Sequence, residues 1–181
     1  MCSSDLIGWA TADGGAPGEG LVAMRRGAES LSQQNALVFD GIIKIALAEA
    51  EAGAGDPDRA IAILDEALAT VDRIGYRAFK AELSRTRGET FLKRDAANAD
   101  PAEEAFRTAL SVAREQGARS FGLRAALSLA KLCQSTGRSA EAHAVLEPAL
   151  QGFSSTPEMP EIAQAQALLA AIEAGVHVRH E

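Results

Sequence analysis

His177 and His180 stand three residues apart, a spacing at which two imidazoles can share one helix face and clip a metal ion. They lie in a short polar tail, and a frayed terminus is the reading their neighbours favour. Cys133 sits in an Ala/Leu-rich stretch with no histidine near it in sequence, so it reads as a small buried hydrophobe rather than a nucleophile. His143 adjoins Ala142 and is expected on an exposed face. The stretch Gly14-Gly15-Ala16-Pro17-Gly18-Glu19-Gly20 is rich enough in glycine to wrap a phosphate. It has no Lys and no preceding strand, and it reads as a turn between helices. Asp65-Glu66 and Glu103-Glu104 have the groups for acid/base work, but their positions fall opposite the small-residue faces of their helices and read as solvated surface. No catalytic or metal-binding residue is expected, and no cofactor.

Charge and composition narrow the partner classes. The chain of 181 residues carries a net charge of -7 and no basic stretch, which argues against a phosphate-neutralising face and so against nucleic acid. Its sequence pI is near 5.1. No run approaches the roughly 18 apolar residues that span a bilayer, and the amino end lacks the charged and apolar regions of a signal peptide. Cys2 and Cys133 make no disulfide framework, which fits a reducing compartment and a cytoplasmic location. Met1 to Asp5 carries no capping or turn logic. Residues 1–6 are expected to be a non-native leader, with a longer native protein upstream. Hydrophobic residues are 47% but aromatics only 4%, a bias toward Ala and Leu that suits closely packed helices rather than a β-sandwich.

A repeat positions everything else. Ala60 to Leu68 reads AIAILDEAL and Ala142 to Leu150 reads AHAVLEPAL; Ala102 to Leu110 and a weaker copy from Gly20 share their spacing. A small residue, a large apolar one and a second small one recur at offsets 0, 4 and 7: Gly20/Met24/Gly27, Ala60/Leu64/Ala67, Ala102/Phe106/Ala109 and Ala142/Leu146/Ala149. Upstream lies another small residue in each unit: Gly8, Ala48, Gly88 and Ala130. The period is about forty residues, which accommodates two helices per unit. Small residues let a neighbouring helix approach, and the large one fills the space beside it. First helices are expected near 36–53, 76–93 and 119–136, and second helices near 17–34, 57–74, 101–116 and 139–152. Asp56-Pro57 and Asp100-Pro101 supply N-cap acids, while Gly75, Gly117 and Gly137 supply stops. A capping helix spans 154–175, from Glu161 to Ala174 at its centre, and 176–181 is a tail.

At these residues the chain resembles the tetratricopeptide family, over almost all of 7–153, with a period longer than the family's and without its proline at the unit end. The resemblance implies an all-α solenoid of about three and a half antiparallel helix pairs that binds protein or peptide. A narrower likeness, in Ala81-Glu82-Leu83-Ser84-Arg85-Thr86-Arg87-Gly88-Glu89 and Ala113-Arg114-Glu115-Gln116-Gly117-Ala118-Arg119, is to carboxy-terminal repeats of bacterial class III adenylate/guanylate cyclases or LuxR-type regulators with an NTPase module. It implies a regulatory scaffold in a signal-transduction protein, with the missing upstream domains of the same polypeptide as one partner. An apolar face at 7–12 offers a homodimer through the open amino-terminal end. A fragment of a cyclase or ATPase-type regulator, or a small-ligand sensor, are the alternatives. In this family first helices line the concave groove, and counting from each small residue puts Trp9, Ile45, Glu49, Glu82, Arg85, Glu89, Arg124, Leu127, Lys131 and Gln134 there, together with Ile42, Ala52 and Leu92. Trp and Arg are favoured at binding hot spots; the same Glu82, Arg85 and Glu89 also have the spacing of an ordinary intrahelical ion-pair row.

Overall fold

The computed structural model describes residues 17–33, 37–154 and 159–177, and among them the protein is all-helical with no strand. Eight helices follow one another: α1 Pro17–Gln33, α2 Leu37–Gly53, α3 Pro57–Ile74, α4 Lys80–Arg94, α5 Asp100–Glu115, α6 Arg119–Ser135, α7 Ser139–Leu150 and α8 Pro160–His177. The leader, Gly8, Trp9, the apolar face at 7–12, Gly14 to Ala16 and His180 lie outside the described residues. Pro17 to Gly20, read both as the end of the Gly-rich turn and as the start of a helix near 17, form the first turn of α1.

The best-defined start is that of α3. Asp56 accepts a hydrogen bond from the Arg59 backbone N–H at 3.0 Å, and Pro57 follows with no N–H to leave unsatisfied. Its end is equally local. Gly75 takes φ of 74°, open to glycine without strain, and its N–H bonds back to the Val71 carbonyl. The Asp100 expectation is corrected: Ala99 is already near-helical at φ -81° and ψ -16°, and the Glu103 N–H reaches its carbonyl, so Asp100 falls inside the first turn of α5. α4 begins at Lys80, not 76, because the chain leaves left-handed Gly75 through exposed Tyr76 and Arg77 before the Leu83 N–H closes the first turn on the Phe79 carbonyl. α8 runs to His177, past the expected Ala174, so the helix absorbs the start of the supposed tail.

Each helix packs on the next, and α2, α4, α6 and α8 also touch one another in succession. The offsets read from sequence fall in the core. Ala60, Ala102, Ala142, Leu64, Phe106, Leu146 and Ala109 are completely buried, as are Ala48 and Ala130. Ala149 is only partly covered. Burial of a side chain such as Phe106 or Leu64 contributes about 1.5–3 kcal/mol. The close approach is tightest at Gly88: a Cβ built there would stand 2.5 Å from Phe106 Cε1. No described helix is long and apolar enough to cross a membrane.

Candidate functional site

The alternate helices that touch one another also share a cavity of about 480 Å³. α2 brings Ile42, Ile45 and Glu49 to it, and α4 brings Glu82, Arg85 and Glu89. α6 adds Arg124, Leu127, Ser128 and Lys131, and α8 adds Glu161 and Gln164. Phe79, just ahead of α4, and Phe121, in the first turn of α6, form an apolar end with ring centroids 6.5 Å apart.

Nine of the residues read from sequence as groove positions therefore meet around one space: Ile42, Ile45, Glu49, Glu82, Arg85, Glu89, Arg124, Leu127 and Lys131. Gln134 is exposed but is not part of the lining, since it sits beyond Lys131 toward the carboxy end of α6. Ala52 and Leu92, at the equivalent ends of α2 and α4, also fall outside it. Phe79 and Phe121 went unread, although each stands nine residues before its unit's small residue, Gly88 or Ala130, with Phe39 at the same offset before Ala48. That position extends the groove face by one helical turn, so the signal was there.

The electrostatics centre on Arg85, whose side chain keeps only 12% of its exposure. Arg85 Nη2 donates to Glu82 Oε1 at 2.7 Å, and Nη1 lies 2.5 Å from Glu89 Oε1. Burial works against its charge, but the hydrogen bond and charge of Glu82, then those of Glu89, more than offset this, so the guanidinium is held protonated above its ordinary range. The row of pairs expected as ordinary helical spacing is thus formed, and it is largely buried rather than solvated. Arg124 bridges two helices, its Nη1 3.3 Å from Glu82 Oε1 and its Nε 2.9 Å from Glu161 Oε1. Ser128 donates to Glu89 and Lys131 to Gln164, both at 3.0 Å.

Two atoms are left over. Among the described residues Glu82 Oε2 and Arg85 Nε are buried without a hydrogen-bond partner. Glu49 Oε1 stands 3.9 Å from Arg85 Nη2, beyond hydrogen-bond range. Burial pushes the Glu49 carboxyl up, Arg85 pulls it down, and the nearby Glu89 and Glu82 push it up again; the net direction is upward. The carboxylates are crowded relative to the cations beside them.

Away from the cavity, two expectations change. Glu103 is not simply solvated: Arg138 donates to both its oxygens, at 2.6 and 3.1 Å, and Arg107 donates to Oε1 at 2.8 Å. His143 is half-buried between α7 and α8, with Nδ1 3.6 Å from Glu147 and Nε2 3.4 Å from Glu173. Asp65 and Glu66 are exposed, as expected, and pair with Arg87 and Lys44 of neighbouring helices. A fourth pair went unread: Glu51, completely buried on α2, takes a two-pronged contact from Arg25 of α1 at 2.7 and 2.6 Å and a third from Arg59 of α3. Cys133 is buried, and burial pushes its thiol up, away from the thiolate that a nucleophile needs. Among the described residues no three His, Cys, Asp or Glu side chains are placed to hold a metal ion. No protein-family model matches the chain, and no curated protein matches it.

Proposed function

We propose that the chain is a non-catalytic binding scaffold, an α-solenoid of antiparallel tetratricopeptide-like pairs, whose cavity captures a protein or peptide segment. One observation carries this reading. Every second helix from α2 to α8 contributes to a single lined space, as a surface built by a repeat would. Its mixture of aromatic and aliphatic side chains with a few fixed charges suits recognition of another chain. The same resemblance that suggested the fold suggests the setting: a regulatory region of a larger bacterial signalling protein, with the upstream part of that polypeptide as one natural occupant.

The test is capture of a random peptide pool by the immobilised chain, with and without the mouth of the cavity filled. Ile42 is half-exposed and Lys131 exposed, so Ile42→Trp with Lys131→Trp blocks the space without entering the core. Wild type is expected to retain peptides, and the double variant to lose them while its circular dichroism stays the same. Equal retention by both proteins removes the cavity from the reading; retention by neither removes the reading. Reversing Arg85 is a poor probe, because it would leave buried Glu82 beside a second carboxylate.

A further inference from the structure

The cavity's unmet bonding capacity says what its occupant should carry. Four carboxylates line it (Glu49, Glu82, Glu89 and Glu161) against Arg85, Arg124 and Lys131. Arg85 is committed to Glu82 and Glu89. Arg124 holds Glu161 at 2.9 Å but reaches Glu82 only at 3.3 Å, and its side chain is 40% exposed. Among the described residues the second oxygen of Glu82 has no hydrogen-bond partner, and Glu49 stands beyond hydrogen-bond range of Arg85. What is lacking on this wall is a cation. Arg85 Nε is the complementary shortage, an N–H without an acceptor. A peptide offers both parts, a positive side chain and a backbone carbonyl.

The dimensions favour a peptide over a small amine. Three steps between touching helices, each about 8–10 Å, give a trough of roughly 24–30 Å, which an extended strand of about eight residues would fill. Ile42, Ile45, Leu127 and the Phe79–Phe121 pair provide apolar contact on either side of the charged wall.

We propose that the cavity takes an extended peptide with one basic side chain among apolar ones, its cationic head settling on Glu82 and Glu49 in the place Arg124 partly holds. The proposal rests on the capture reading above and deepens it. Arg124 is then an internal stand-in for the ligand: when the peptide enters, Arg124 gives up its long contact with Glu82 and keeps Glu161. The incoming charge also opposes the burial, and after it the nearby Glu89 and Glu82, that raise the Glu49 carboxyl.

The experiment is fluorescence anisotropy on the full chain with labelled peptides of about eight residues, apolar except at a central position filled by Arg, Lys, Gln or Glu. The Arg and Lys peptides are expected to bind, the Gln peptide about tenfold or more weaker and the Glu peptide weaker still. Glu49→Gln, at a half-exposed position, should weaken the Arg peptide about tenfold, and Glu82→Gln at least as much. Arg124→Gln should tighten it several-fold by removing the competitor, an effect that a merely structural arginine would not give. If Glu82→Gln fails to fold, the Glu49 and Arg124 variants decide the matter. Equal binding of all four peptides, or weaker binding by Arg124→Gln, overturns the charge assignment and leaves the capture reading in place. Binding of n-butylguanidinium as tightly as the Arg peptide overturns the commitment to a peptide. Binding of none of the peptides, the all-apolar control included, overturns both readings.

Discussion

Gly88 shows how a single small residue fixes the distance between two helices. A methyl group there would meet Cε1 and Cδ1 of the Phe106 ring at 2.5 and 2.7 Å, and Phe106 is completely buried. Helix propensity alone would make alanine the better residue by up to about 1 kcal/mol. Overpacking of a closed core costs about 1–3 kcal/mol, so the clash should win. Gly88→Ala is accordingly expected to lower stability in urea unfolding; a variant as stable as wild type would mean the ring has room to move. Glu103 tells the opposite story about legibility. Helical periodicity placed it on a solvated face, but Arg138 arrives from 35 residues away, and no local pattern announces that. The Arg138 hydrogen bonds lower the Glu103 carboxyl, burial raises it, Arg107 lowers it further, and it ends at about 2 in place of about 4.5. A carboxyl lowered by folding contributes stability that is present above about pH 4.5 and is lost as pH falls through about 2. Glu103→Gln should therefore melt below wild type at pH 7, and the gap should close between pH 4.5 and 2. The gap itself should be under about 1 kcal/mol, because Arg107 is half-exposed. A gap that does not change with pH would show that the loss comes from shape and not from charge.

The elements were the most legible layer, for a physical reason. Asp56-Pro57 and Gly75 act within four or five residues, so their effect on α3 is written in the sequence beside them. α4 shows the limit: its start depends on how the chain threads past Phe79, whose ring packs on Phe121 two helices on. The offset pattern also predicts which helix faces are closed. Ala142 of α7 is completely buried, while Glu104 of α5 is exposed. Ala142→Arg should cost roughly 3 kcal/mol or more through overpacking and a buried charge, and Glu104→Arg under about 0.5 kcal/mol. Equal melting temperatures would mean that the faces are wrongly assigned. α1 differs from the rest in its packing. Leu21, Met24 and Ala28 form a small cluster with Leu47 of α2, whereas α3 packs on both α2 and α4. Amides of α1 are expected to exchange with deuterium faster than those from Ala60 to Val71, since among the described residues α1 packs mainly on α2. Uniform protection across both helices would defeat that expectation.

At the scale of the whole molecule, the alternation of helices decides what the chain can present. The alternate helices α2, α4, α6 and α8 line the shared cavity, and the carboxylates gathered there are candidate groups for phosphoryl chemistry. Such chemistry needs acidic side chains free to hold divalent cations and a loop of backbone N–H groups cradling the phosphates. Glu82 and Glu89 do not meet the first condition: both are bound to Arg85, which is largely buried and held in its charged form. A cation entering between them would have to expel a guanidinium with no other carboxylate inside hydrogen-bond distance, since Glu49 stands at 3.9 Å. The Gly-rich segment has no Lys for the second condition, and its described part, Pro17 to Gly20, is the first turn of α1. The purified chain with ATP or GTP and Mg²⁺ or Mn²⁺ is therefore expected to release no phosphate or pyrophosphate and to form no cyclic nucleotide. The measurement should include Arg85→Gln, which removes the guanidinium that the two carboxylates share. Turnover by wild type would end the scaffold reading. Turnover that appears only in Arg85→Gln would instead show that the arginine is what keeps an acidic site silent.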